Sequence, residues 1–435
     1  VENQKSAGLV RAMGRWTLTA LIINSIVGSG IFGLPSVVAG YVGIWSPLAY
    51  LIAAAGAAII MACFAEVASQ FGESGGPYLY AREAFGRFLG IETAWLLWLV
   101  RVSAAAAAVN LFTNYLAEFW PIAKGTLPRL AVLTILIGLL VFVNYRGVKS
   151  GAMASDVFTI AKLSALILFA IAGVIFLLRM HRPIPALTES STIPARNWFD
   201  AMLVIWFAYG GFEAAIIPMA EAKDPLRDAP FSLFTALVTT TILYCLIQYV
   251  VIAVLPAAAA TDRPLALAAR AMWGTAGASL IAAAALISLY GYLSAQMLHS
   301  PRLTFALGER GDFPSLFSRI HARYRTPHIS ILIFAGIVWG MAALGNFKWN
   351  VIISSVARLF VCVLVCASLP VLRRTRPNIA AYRLPAGDFI AVLGVIFMLV
   401  LVSHMRLAEW IVILVTMAIA FMNWLWARNQ AEGSR

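Results

Sequence analysis

Runs of about twenty apolar residues follow one another almost from end to end of this chain, parted by short polar or basic segments, and that pattern leaves few folds open. A bilayer's hydrocarbon core is about 30 Å thick and an α-helix rises about 1.5 Å per residue, so one crossing takes about 20 residues. Of the 435 residues, 62% are hydrophobic and 12% charged, and the mean hydropathy is +0.87, which excludes a water-soluble fold. Crossings are expected at 17–40, 46–70, 89–116, 129–145, 153–178, 198–220, 231–255, 273–300, 328–345, 350–372, 386–403 and 407–427. The expected fold class is all-α integral membrane with twelve transmembrane helices. No loop is long enough for a soluble domain, so 1–435 reads as one transmembrane domain.

Alternate loops differ in charge. With the N-terminus inside, 20 of the 32 Lys and Arg residues fall on the cytoplasmic side, 9 outside, and Arg101, Lys162 and Arg358 within spans. The positive-inside rule then places both termini in the cytoplasm. The net charge of +13 is spread over juxtamembrane stretches such as "SRIHARYR" and "LRRTRP", where anionic lipid headgroups rather than nucleic acid are the expected partner. The opening "VENQKS" holds no apolar core of a signal peptide. The segment 301–327 is expected to hold short interfacial helices, and 179–197 to form an ordered outer loop. Cys63, Cys245, Cys362 and Cys366 all fall within spans, so neither a disulfide pattern nor a metal site is expected.

Two spans carry their weakest helix formers at mid-membrane. Span one reads "NSIVGSGIFGLPS" over residues 24–36, and span six "FAYGGFE" over residues 207–213. The two begin on opposite sides of the membrane and are interrupted at matching depth, the pattern of an inverted repeat with a central binding site. The repeats are expected at about 15–178 and 198–372, leaving 386–427 as two accessory helices. Unwinding exposes amides and carbonyls that cost several kcal/mol each in hydrocarbon unless paired. A half-helix N-terminus suits a carboxylate and freed carbonyls suit an ammonium, so together they fit an α-amino acid. The alternative is that these glycines serve close helix packing.

The chain resembles the amino acid permease branch of the amino acid–polyamine–organocation superfamily, with its LeuT-like 5+5 inverted repeat and discontinuous helices 1 and 6. The resemblance rests on "GSGIF", "ESGGPYLYAREAFG", "AKLSALILF", "FAYGGFE", "AEAKDP", "SPRLTFALGERGDFP", "RTPHISI" and "LRRTRP", in that order along the chain. It implies that the amides of Ser29, Gly30 and Ile31 hold a substrate carboxylate and that the carbonyls of Ile26, Phe207 and Gly210 receive the amine, with Phe207 also an aromatic lid. Gly28, Ala208 and Gly211 belong to the same substrate-binding stretches. It implies further that Lys162 takes the place of a sodium ion of related transporters, braces spans one and eight, and couples protonation to transport; a permanently charged brace is the other reading. Tyr244 matches a tyrosine near that lysine and the substrate. Ser288 and Ser294 on span eight are candidate acceptors for the lysine.

An unpaired charge in a span costs at least about 2.5–3.5 kcal/mol on insertion scales, so Lys162 is a functional candidate on its own account. Glu213 is either a proton sensor or a partner for freed backbone groups. Arg101 pairs with Glu213 or another acceptor, or faces a water-filled cavity, and Arg358 could snorkel from the bundle's edge. Ala104 to Ala108, Phe207, Tyr209 and Phe212 give the expected pocket an apolar and aromatic lining. The function expected is secondary active transport of neutral L-amino acids by alternating access across a bacterial inner membrane, as a proton symporter or an antiporter. A cationic amino acid or polyamine antiporter and a non-transporting amino acid sensor are the alternatives. An enzyme is not expected, because the five histidines are scattered. The partners are an amino acid, protons or a counter-substrate, and lipid; no cofactor or obligatory protein partner is expected.

Overall fold

The computed structural model of the protein describes residues 14–71, 75–147, 151–180, 193–215, 224–255, 258–377 and 382–433. Among these the regular structure is helical throughout: α1 (Arg15–Ile26), α2 (Gly30–Val42), α3 (Ser46–Ser69), α4 (Gly76–Phe85), α5 (Arg87–Leu116), α6 (Thr126–Arg146), α7 (Gly151–Arg179), α8 (Ala195–Tyr209), α9 (Phe212–Ala215), α10 (Pro225–Val254), α11 (Pro264–Glu309), α12 (His328–Leu344), α13 (Phe347–Thr375), α14 (Gly387–Ser403) and α15 (Leu407–Gly433). Eight helical stretches among the described residues, one of them running through α2 and α3, are long and apolar enough to cross a bilayer; α12 and α14 are shorter apolar helices. The parts of "ESGGPYLYAREAFG" and "AEAKDP" at 73–74 and 220–223, and most of the expected outer loop 179–197, lie outside the described residues.

Helix boundaries follow local chemistry. α1 stops where Val27 leaves helical geometry (φ −73°, ψ 82°), and α2 resumes at Gly30. Gly43, at φ +51°, turns the chain from α2 toward α3. α11 bends at Gly274 (φ 71°, ψ −161°) into a short N-terminal arm and a long shaft. That shaft runs on to Glu309, nine residues past the expected end of span eight, so part of 301–327 is a continuation of the span. "GPYLYAREAF" forms α4, packed between α5 and α13.

α5 is the centre of the bundle, packed against α11, α13, α12 and α15, with Ala104 to Ala108 buried along it. Helices in lipid gain little from apolar contact alone, and small residues let backbones approach closely. α6, α7, α14 and α15 present Ile135, Phe142, Leu168, Ile171, Phe389, Ile396 and Leu414 outward, as lipid-facing helices do. Ion pairs tie the helix ends. Asp312, fully buried after α11, accepts from Arg82 Nη1 and Arg87 Nε at 2.7 Å each and from the Tyr78 hydroxyl. Glu66 at the end of α3 takes both arms of Arg373 at 2.7 Å. Neither Asp312 nor Glu66 stands out in the sequence, because each lies at a helix end where an acid would ordinarily be solvated.

Candidate functional site

The first break is a tight turn followed by a helix start with nothing to cap it. Val27 N donates to Ile23 O and Gly28 N to Ile26 O, each at 2.8 Å, and Phe32 N reaches Ser29 O at 3.3 Å to open α2. The amides of Ser29, Gly30 and Ile31 have no acceptor among the described residues. The hydroxyl of Ser29 is likewise buried without a partner. Four donors at the positive end of one helix are thus left for something else to satisfy.

The second break faces the first. α8 ends at Tyr209, Gly210 is extended (ψ 167°), and Gly211 sits at φ +104°, a conformation that favours glycine. Ser25 Oγ donates to Gly211 O at 2.7 Å, and a Cβ on Gly211 would lie 2.4 Å from Ser25 O. A Cβ on Gly30 would lie 3.2 Å from Ala208 Cα, so α2 and α8 also meet closely. Unwinding and close packing, opposed as explanations in the sequence, coexist at these glycines.

Most of the released carbonyls already have donors. Lys162 Nζ, only 7% exposed, donates to Asn24 O at 2.7 Å and Val27 O at 2.6 Å. The Tyr244 hydroxyl lies 3.1 Å from Ile26 O and 3.2 Å from Ala208 O, bridging both breaks. Of the three carbonyls assigned to an amine from the resemblance, Ile26 O is therefore taken by Gly28 N and Tyr244. Phe207 O accepts Gly210 N at 3.2 Å, while Gly210 O has no donor among the described residues. Lys162 thus bonds to span one, while Ser288 is buried on α11, with no hydrogen bond joining it to Lys162 among the described residues. Phe207 is at the last turn of α8, 8% exposed.

The charged residues pair differently from the sequence reading. Arg358 does not snorkel to an edge: it is buried on α13, and its Nε donates to Glu213 Oε1 at 2.9 Å. Glu213 also accepts from Gly211 N at 2.8 Å, so it holds both the break and the arginine. The Arg358 guanidinium lies against Gly210, where a Cβ would come within 1.9 Å of Nη1; that Nη1 has no partner among the described residues. Arg101 is partly exposed, within electrostatic reach of Glu213, Arg358 and Tyr292, and bonded to none of them. Tyr292 is missing from the sequence reading although a mid-span tyrosine in "SLYGYLSAQM" was a visible signal. Its ring lies 3.6 Å from the Cβ position of Gly28, and its hydroxyl accepts from Gln296 Nε2 at 2.8 Å.

Access to the breaks is one-sided. Toward α1, Asn24, Ser25, Gly28, Gly211, Tyr292 and Gln296 are partly exposed. Toward α2 and α8, Phe32, Tyr115, Trp206 and Val351 are at most 1% exposed, and Tyr115 Oη donates to Phe32 O at 2.7 Å.

A family model described as amino acid permease matches residues 13–425. Among similar proteins, the serine/threonine exchanger SteT of Bacillus subtilis is 27% identical over 89% of this chain and 89% of its own length. The methylthioribose transporter of the same organism is 25% identical over 88% of this chain and 86% of its own length. The large neutral amino acids transporter small subunit 2 of Oryctolagus cuniculus is 28% identical over 87% of this chain and 72% of its own length.

Proposed function

Because the chain belongs to the amino acid permease family, and is an integral membrane protein of transporter kind, we propose that it is a secondary transporter moving amino acids by alternating access. The observation that carries this reading is the pair of facing breaks, with three free amides and the buried Ser29 hydroxyl gathered at the start of α2. Those donors match an α-carboxylate, and the Gly210 carbonyl, left without a donor among the described residues, is the acceptor for the α-amine.

In this reading α1 with α2 makes the first of twelve spans, and α8 with α9 lies in the sixth. They belong to the 5+5 inverted repeat, α14 and α15 stand outside it, and the termini are cytoplasmic. The partly exposed residues on the α1 side and the sealed α2–α8 side then correspond to an inward-facing conformation. Substrates without a positive side chain are favoured over cationic ones, because Glu213 already spends its charge on Arg358.

A link between transport and the charge of Lys162 is supported by its two acceptors, the carbonyls that end α1. A melting screen of the purified protein against the standard amino acids should find ligands that raise Tm. Uptake of those ligands should follow in proteoliposomes, with an imposed proton gradient accelerating it for a symporter and internal substrate being required for an exchanger. A protein that neither binds nor carries any amino acid would overturn the reading.

A further inference from the structure

The group beside the breaks does not balance in charge. Among the described residues Arg101 and Arg358 face one carboxylate, Glu213, and only Arg358 bonds to it. Arg358 keeps a buried Nη1 without a partner, and Arg101 has no hydrogen bond or ion pair among the described residues. The two lie on different helices, α5 and α13, that pack along their length. Arg358 lies against Gly210 of the second break, and Tyr292, within electrostatic reach of Arg101, has its ring 3.6 Å from where a Cβ on Gly28 of the first would lie. The unmet donors therefore border the place where the substrate's α-carbon would sit.

Alternating access adds a requirement. Between its two open states a carrier must seal its central site, and sealing strips water from any charge that has no counter-charge inside. In the conformation seen here Arg101 remains partly exposed, on the open side. Once that side closes, an unpaired guanidinium is left in a dry chamber unless the cargo brings an anion. A cargo that does so pairs Arg101, satisfies Arg358 Nη1 and lowers the cost of closing.

We infer that Arg101 and the free arm of Arg358 form a side-chain subsite for an amino acid carrying a second, negatively charged group, such as a side-chain carboxylate. This narrows, and rests on, the amino acid transport proposed above. The surplus positive charge, with Arg101 outside any ion pair among the described residues and Arg358 bonded to Glu213 through Nε alone, defines the ligand chemistry as anionic, and the subsite's position beside the α-carbon assigns that anion to the cargo rather than to a separate small ion.

The test is a comparison of near-isosteric pairs, glutamate against glutamine and aspartate against asparagine, using Tm shifts and proteoliposome uptake, each with chloride present and with chloride replaced by gluconate. Wild-type protein should respond to the acidic member at roughly tenfold or more lower concentration, the scale of one charge-assisted contact. Arg101→Gln should erase that preference while leaving the response to the amide member in place, because the α-carboxylate and α-amine contacts remain. Should Arg101→Gln fail to fold, the wild-type ranking alone decides. Equal or weaker response to the acidic members, or a preference unchanged in Arg101→Gln, overturns the subsite while leaving amino acid transport standing. Binding of neutral amino acids that requires chloride overturns it too, by giving Arg101 to a separate anion. Absence of any amino acid response overturns both.

Discussion

Replacing Lys162 with methionine removes the ammonium that holds the end of α1. The lysine is 7% exposed, and its two bonds, at 2.6 Å to Val27 O and 2.7 Å to Asn24 O, join α7 to the first break. Methionine fills a similar volume and relieves the cost of burying a charge, so the loss is best counted at the acceptors. Two carbonyls are left orphaned, each at about 1–3 kcal/mol, or about 2–6 kcal/mol together. At about 1.4 kcal/mol per tenfold, the conformation seen here loses at least about twentyfold in population against any that re-pairs those carbonyls. Lys162→Met should therefore lower Tm and cut proteoliposome flux to a small fraction of wild type. Exchange that survives while gradient-driven uptake is lost would identify the lysine as the coupling group; loss of both would identify it as a brace. A methionine variant with wild-type melting and wild-type flux would refute the reasoning from these two bonds.

Two further substitutions separate binding from folding. Ser29→Ala removes a buried hydroxyl that has no partner among the described residues. The ligand-free protein should melt at or slightly above the wild-type temperature while amino acid affinity falls about threefold to tenfold, as for one lost hydrogen bond; a lower ligand-free Tm would show the hydroxyl serving the fold instead. Gly211→Ala forces a Cβ onto φ +104°, 2.4 Å from Ser25 O, and should cost more than about 1 kcal/mol, read as reduced Tm and folded yield. Wild-type melting in that variant would mean the second break does not hold this geometry.

The sequence by itself determined that the chain lives in a membrane and where its helices fail. Apolar runs of bilayer length leave little else, and Gly28, Ser29, Gly30, Gly210 and Gly211 stand out because hydrocarbon makes weak helix formers conspicuous. Lys162 was legible for the same reason: a charge in an apolar run announces a cost that something must offset. Tertiary structure alone decided which group offsets which. Glu213 and Arg358 are 145 residues apart, and Tyr244 reaches carbonyls 218 and 36 residues away. No local period records those distances, so Arg101 could not be told from Arg358 as the partner of Glu213. Nor could Asp312 and Glu66 be recognised as buried, since a helix end looks solvated until another helix covers it. Hydropathy is a property each residue carries along the chain, whereas pairing inside a bundle depends on which helices become neighbours, and that is set by all of their contacts at once.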